Sequence, residues 1–350
     1  MSTRLPTLSP STSPPTITDQ LQRPLRDLRI SVTDRCNFRC VYCMPKEIFG
    51  AGYPFLPNDE VLSFEEIARL GRVFAAHGVQ KFRLTGGEPL VRRNLEQLVA
   101  MLVEIDGVDD IAMTTNGSLL SRKKAKALRE AGLKRVTVSL DSLDDAVFKS
   151  MNDVNFPASK VLQAIEHAAE VGFDPVKIDM VVRRGYNEES ILPMVERFRG
   201  TGIILRFIEF MDVGSTNGWQ MQDVVPAQEI LDRVNAEWPI EPVDPNYPGE
   251  VAARWRFLDG QGEVGVVASV TMPFCADCNR ARLSADGQLY TCLFGVQGHD
   301  FRALLRSGVS DDDLGSALRG VWGNRVDRYS EIRSANTIRL KKVEMSRIGG

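Results

Sequence analysis

The sequence predicts an α/β fold: an incomplete (βα)6 TIM-like barrel with a smaller C-terminal unit. Two observations carry that prediction. From Leu28 to about Met211, six short β-like runs alternate with amphipathic stretches, the pattern of a parallel sheet with right-handed crossovers. The polar and glycine-rich motifs also fall at the C-terminal ends of the strands, where α/β barrels and open sheets build their sites. A doubly wound sheet satisfies the alternation equally well, but the gathering of every motif at one mouth favours the barrel-like arc.

In order, the β-like runs are Leu28–Val32, Lys81–Leu84, Asp110–Thr114, Arg135–Leu140, Val176–Val182 and Ile203–Glu209. Ile67, Leu70 and Phe74, then Leu95, Leu98, Val99 and Leu102, recur at spacings of three and four and predict helices between strands. Ser63 followed by Glu66 has the form of a capping box opening the first helix. Residues 1–25 are rich in Ser, Thr and Pro without an apolar core, and read as a disordered lead rather than a signal peptide. Residues 26–211 form the barrel-like part. Residues 212–256, with five prolines and one helical stretch near Ala227–Ala236, read as a connector. Residues 257–350 form the C-terminal unit, in which Glu263–Val270 is a predicted strand.

The 350 residues suffice for a large core, and 43% apolar with 25% charged residues is ordinary for a globular enzyme. A net charge of −3 gives no global attraction to nucleic acid or an anionic membrane. Without a run of eighteen apolar residues, no membrane partner is expected. The six cysteines form two groups, 36/40/43 and 275/278/292, which favours metal over disulfides and a reducing cytoplasmic setting.

Cys36-Asn-Phe-Arg-Cys40-Val-Tyr-Cys43 follows the first strand and can turn three sulfurs to one point. Zinc in structural sites takes four ligands, usually from CxxC-type pairs, and no histidine or fourth cysteine lies nearby. A [4Fe-4S] cluster held by three thiolates keeps one iron open. Gly86-Gly87-Glu88-Pro89 follows the second strand, and two residues without Cβ allow close backbone approach to a ligand. Thr115-Asn116-Gly117 follows the third strand, Ser139-Leu140-Asp141 ends the fourth and Glu209–Met211 the sixth. Farther on, Cys275-Ala-Asp-Cys278-Asn-Arg280-Ala-Arg282 precedes Cys292, a second three-thiolate group. Arg280 and Arg282 would share one face of an extended segment, with forks suited to phosphate or a purine edge.

CxxxCxxC with Tyr42 before its last cysteine, followed one unit later by Gly-Gly-Glu, resembles the radical S-adenosylmethionine family. With FCADCNRARLSADGQLYTCLFG, MTTNG, VTVSLDSLD, RFIEFM and a terminal Gly-Gly, the chain from Leu28 onward resembles the GTP 3′,8-cyclases of that family. Those enzymes open molybdenum-cofactor biosynthesis. The resemblance implies S-adenosylmethionine and two [4Fe-4S] clusters as cofactors, ligated by Cys36, Cys40 and Cys43 and by Cys275, Cys278 and Cys292. It implies that Tyr42, Gly86, Gly87, Glu88, Ser139 and Met211 bind S-adenosylmethionine, with the Glu88 carboxylate accepting from its ammonium group. It implies that Arg29, Arg83, Thr114, Lys177, Arg206, Arg280, Ala281 and Arg282 contact GTP. Arg280, Arg282 and the terminal Gly349 and Gly350 would serve catalysis, the tail reaching into the mouth. The implied reaction is radical cyclisation of GTP to 3′,8-cyclo-7,8-dihydro-GTP, with an electron donor, a downstream cyclic pyranopterin monophosphate synthase and a homodimeric assembly as partners. Competing readings are another radical S-adenosylmethionine enzyme with an auxiliary cluster, such as a peptide-maturing one, and a non-catalytic iron-sulfur redox protein.

Overall fold

A computed structural model describes residues 16–338 and 340–349, and its first six strands fall on the predicted runs. β1 (Asp27–Ser31), β2 (Lys81–Thr85), β3 (Asp110–Thr115), β4 (Arg135–Ser139), β5 (Val176–Val182) and β6 (Ile204–Glu209) pair in sequence order, each parallel to the next. Alternate residues divide the two faces. Leu28, Ile30, Phe82, Leu84, Val136 and Val138 join one buried core with Ile67, Leu70 and Phe74 of the helix Phe64–Ala75 and Leu95, Leu98 and Leu102 of the helix Leu95–Val103. The intervening residues therefore face the other way. The capping box is present: Glu66 N donates to Ser63 Oγ at 3.1 Å, and Ser63 N to Glu66 Oε2 at 2.8 Å.

The strands of the C-terminal residues continue the sheet of the first six. β7 (Ile240–Val243), β8 (Ala253–Phe257), β9 (Glu263–Val267), β10 (Arg280–Leu283), β11 (Gln288–Tyr290) and β12 (His299–Asp300) extend the same sheet at both edges, in the order β12-β11-β10-β1-β2-β3-β4-β5-β6-β9-β8-β7. β10 runs parallel to β1, and β9 parallel to β6; the strands outside them are antiparallel. The segment read as a connector thus contributes two strands besides its helix, Ala227–Glu237. Its prolines concealed them, yet Pro242 sits in β7, an edge strand, where a missing N–H is tolerated.

The expected disordered lead is also corrected in part. Residues 1–15 lie outside those described, but 16–25 are packed. Thr18 bridges to Pro24, Leu25 is fully buried, and Asp19 and Arg23 are each 2% exposed. The Ser/Thr/Pro bias belongs mainly to the first fifteen residues; the next ten carry Ile17, Leu25 and a charged pair with buried partners. Among the described residues no helix is long and apolar enough to cross a membrane.

Candidate active site

The first cysteine loop leaves the end of β1 and packs backbone to backbone against the glycine pair after β2. Gly87 N donates to Thr33 O and Glu88 N to Arg35 O, both at 2.9 Å. A Cβ on Gly86 would stand 2.4 Å from Thr33 O, and one on Gly87 2.3 Å from Arg35 O. The close approach that the glycines permit is therefore to the cysteine loop itself. Glu88 has protein partners of its own. Its buried carboxylate accepts from Leu90 N at 3.0 Å, Thr115 Oγ1 at 2.7 Å and Asn116 N at 2.7 Å, tying the loops after β2 and β3 together. Burial holds that carboxyl near 7 despite these donors.

Cys36, Cys40 and Cys43 are free thiols. Burial, then Glu88, pushes Cys36 up to about 12, and burial followed by Asp141 raises Cys40 strongly. The donors to Cys36 Sγ are neutral: Phe38 N at 3.4 Å and Asn116 Nδ2 at 3.8 Å. Among the described residues no three Cys, His, Asp or Glu side chains converge as ligands of a single ion. A four-iron cluster does not require that convergence, because each sulfur meets its own iron. Beside this loop, Tyr42 donates its hydroxyl to Asp141 Oδ2 at 2.9 Å, and Asn217 Nδ2 donates to Met211 O at 3.0 Å.

The inner face of the sheet carries a row of cations. Arg282 of β10, Arg29 of β1 and Arg83 of β2 stand in register on neighbouring strands. At the ~5 Å spacing of strands, two guanidinium charges repel by roughly 3 kcal/mol at an effective dielectric of about 20. Burial, then Arg282 and Arg83, lowers Arg29 well below the usual arginine value; burial, then Arg280, brings Arg282 down to about 10. The Nε atoms of Arg29 and Arg83 are buried without a protein partner. An unpaired buried donor is costly, so a row with two of them fits an anion. Arg83 Nη1 donates to Thr114 Oγ1 at 3.1 Å, and Arg206 pairs with Asp179 at 2.7 Å. Lys177, on the same face of β5 as Asp179, is 9% exposed; burial, then Arg206, brings its amine down to about 8.

One cavity gathers Arg29, Tyr42, Arg83, Thr114, Ser139, Arg206 and Met211 with Cys275, Cys278, Cys292, Arg280 and Arg282. Seven arginine and lysine side chains line it against five of aspartate and glutamate, and Glu209, one of the five, is spoken for by the backbone N–H groups of Ala227, Val270 and Thr271. The Ala281 side chain lies in the helix-side core, which leaves its backbone to face a ligand. Sequence reasoning missed Asp27, Lys81 and Asp179, which occupy positions two residues from Arg29, Arg83 and Lys177 on the same faces and were open to that parity argument. Tyr247, Phe274, Arg325 and Met345 also line the cavity, without a local signal.

The second cysteine group has cationic neighbours. Arg280 Nη2 lies 3.4 Å from Cys278 Sγ and Arg325 Nη2 3.1 Å. Burial would raise the Cys278 thiol, but Arg280 and Arg325 outweigh it and bring it down to about 7. The three free thiols of this group, with charged donors to sulfur, suit an iron-sulfur cluster. The tail returns to this place. Arg282 Nη1 donates to Gly349 O, and a Cβ on Gly349 would overlap Thr85. Gly350 lies outside the described residues.

Comparison with known proteins agrees with this geometry. Residues 30–198 match the Radical SAM superfamily model, and 203–331 the Molybdenum Cofactor Synthesis C model. A GTP 3′,8-cyclase of Acidothermus cellulolyticus is 54% identical over 92% of this chain and 90% of that protein. One of Staphylococcus haemolyticus is 51% identical over 95% and 99%, and one of Xanthomonas campestris pv. campestris 53% over 97% and 99%. Among solved structures, Streptococcus suis SuiB bound to precursor peptide SuiA superposes with a TM-score of 0.60 at 15% identity, covering 89% of this chain and 67% of that one; this likeness is one of fold.

Proposed function

Because the chain belongs to the GTP 3′,8-cyclase family of radical S-adenosylmethionine enzymes, we propose that its cavity holds S-adenosylmethionine at the first cysteine loop and GTP between the arginine row and the second. The protein is a lyase that cyclises GTP to 3′,8-cyclo-7,8-dihydro-GTP, the opening reaction of molybdenum-cofactor biosynthesis. The observation that supports the assignment of its substrate site is the in-register row Arg282–Arg29–Arg83 with two unpartnered buried Nε atoms. A triphosphate carries close to four negative charges and turns that repulsion into attraction.

Cys36, Cys40 and Cys43 would hold one [4Fe-4S] cluster, and Cys275, Cys278 and Cys292 the other. S-adenosylmethionine at the reduced first cluster would supply the radical chemistry that takes hydrogen from C3′ of the GTP ribose. The chain's own residues do the rest. Tyr42, fixed by Asp141, and Ser139 and Met211 on the wall bound one end of the cavity. Arg29, Arg83, Arg280 and Arg282, with Thr114 and Arg206, bind and orient the nucleotide at the other, so that C3′ faces the radical and C8 stays within reach of C3′. Gly349, against Arg282, narrows the space around the ribose.

An external reductant, a downstream cyclic pyranopterin monophosphate synthase and a second copy of the chain complete the proposed partners. Grouped free cysteines support a cytoplasmic setting. The test is anaerobic reconstitution with iron and sulfide, then incubation with reductant, S-adenosylmethionine and GTP. Cyclised nucleotide dependent on all three is expected. Cleavage of S-adenosylmethionine with no nucleotide product would overturn the substrate assignment.

A further inference from the structure

Arg325 lines the cavity, yet it is not free to bind a substrate. Its side chain is 1% exposed, and its guanidinium donates in four directions: to Thr291 O at 3.1 Å, Cys278 O at 2.7 Å, Asp19 Oδ2 at 3.1 Å and Cys278 Sγ at 3.1 Å. The fork has five N–H groups, so these bonds leave little to offer a ligand. Asp19 is held in turn by Arg23 Nε at 2.6 Å, and Arg23 Nη1 donates to Cys275 O and Asp327 O, each at 2.8 Å. Trp322 Nε1 donates to Arg23 O at 3.1 Å, while its ring lies 4.6 Å from the Arg325 guanidinium. The segment that packs before β1 is thereby woven into the second cysteine loop, with Arg325 at the knot. Asp327, 3.4 Å from Arg325 Nε, is the other carboxylate facing it.

We propose that Arg325 is a positioning residue of the second centre, anchored by Asp19 and Arg23: it fixes the Cys278 sulfur and raises the reduction potential of the cluster held there. The inference rests on the reading of Cys275, Cys278 and Cys292 as cluster ligands. Its physical basis is simple. Reduction adds one electron, hence one negative charge, to a thiolate-ligated cluster, and a fixed guanidinium donating to one thiolate stabilises the reduced form more than the oxidised one. Arg280 lies against the same sulfur, but it also belongs to the proposed substrate set. Arg325, with its donors committed, acts on the cluster whether or not substrate is present.

The test uses the full chain, reconstituted anaerobically to about eight irons, four per cluster, and a potentiometric titration followed by electron paramagnetic resonance without GTP. The second cluster's wave is the one missing from Cys275→Ala protein. Arg325→Gln, with iron retained, is expected to move that wave to lower potential and leave the first cluster's wave in place; Arg325→Lys, which restores charge but not the fork, should recover part of the shift. A wave at the wild-type potential in Arg325→Gln overturns the proposal. Should that variant lose the second cluster's iron, Arg325→Lys decides: a lowered wave supports the proposal and an unshifted one overturns it. Wild-type protein that assembles only about four irons, with no second wave, would overturn the ligand reading as well.

Discussion

The two cysteine loops share a count of three thiols and differ in almost everything around them. The first sits among carboxyl groups and neutral donors: Glu88 and Asp141 face its thiols, and burial pushes Cys36 up to about 12. The second has guanidinium groups at one sulfur, which bring Cys278 down to about 7, while burial and then Asp327 push Cys292 up to about 12. Surroundings that resist added negative charge suit a cluster that gives its electron away. Surroundings that welcome it suit one beside a polyanion. The same number of thiols thus meets different charges, carboxylates at the first loop and guanidinium groups at Cys278 of the second.

Removing either set of thiols breaks that comparison most severely. Changing Cys36, Cys40 and Cys43 to alanine should remove about four irons and all 5′-deoxyadenosine formation. Changing Cys275, Cys278 and Cys292 should remove a similar amount of iron and abolish cyclised nucleotide, while 5′-deoxyadenosine is still formed. Iron analysis and chromatography of both products check the pair. If the first triple variant still made 5′-deoxyadenosine, the division of labour would be wrong.

Next comes the tail, whose charge reaches the first region and whose backbone meets the second. The Glu344 carboxylate acts on Cys43, and Gly349 O accepts from Arg282. Gly349 has φ +72°, a conformation that favours glycine, and a Cβ there would run into Thr85. Deleting Gly349 and Gly350 should leave both clusters assembled and GTP bound, yet abolish cyclisation. Full turnover by the truncated chain would reduce the tail to a chain end.

Arg280→Ala and Arg282→Ala sharpen the comparison from the cationic side. Each should weaken GTP binding by about 1.5–3 kcal/mol, tenfold or more, the usual cost of a lost charge-assisted contact, with both clusters intact. Unchanged affinity and turnover in a calorimetric and kinetic comparison would return both to ordinary buried charge.

The first region was far more legible in the sequence than the second, for a physical reason. Cys36, Cys40 and Cys43, the strand before them and Gly86-Gly87 act over short separations, so spacing and periodicity reveal them. Arg325 reaches Asp19 across 306 positions and Cys278 across 47, and no local pattern marks such a contact. The protein partners of Glu88 were not legible because its motif is local while Thr115 and Asn116 come from the end of the next strand and its loop. Strands β7 and β8 were missed because the segment's prolines argue against strands: Pro242 falls within β7, an edge, and Pro245 and Pro248 lie between the two. Arg29, Arg83 and Arg282 were named one by one, but only pairing of β10 with β1 puts them abreast.

The smallest expected effect concerns what holds the tail between the two regions. Asp212, just past β6, is 3% exposed and accepts from Lys342 Nζ at 2.9 Å and Arg333 Nε at 3.1 Å, with Tyr329 Oη as a third donor. Lys342 opens the segment that ends at Gly349, and Glu344 fastens the same segment by accepting from Ser215 N at 2.9 Å. Burial would raise the Asp212 carboxyl, but the donors and the Arg333 charge outweigh it and lower it below its usual 3.8. A lowered folded-state value means that its contribution to stability is present above about pH 4 and fades as pH falls through the lowered value. Asp212→Asn removes the charge at every pH and leaves Lys342 buried without its counter-ion, at a cost of about 1.5–3 kcal/mol. Thermal melting near neutral pH should detect that loss, and the gap from wild type should close in acid. Turnover should fall several-fold rather than vanish, because Glu344 and Arg282 still grip the tail. An unchanged melting temperature would show that Asp212 does not latch the tail, and that Glu344 and Arg282 are enough to hold it across the cavity.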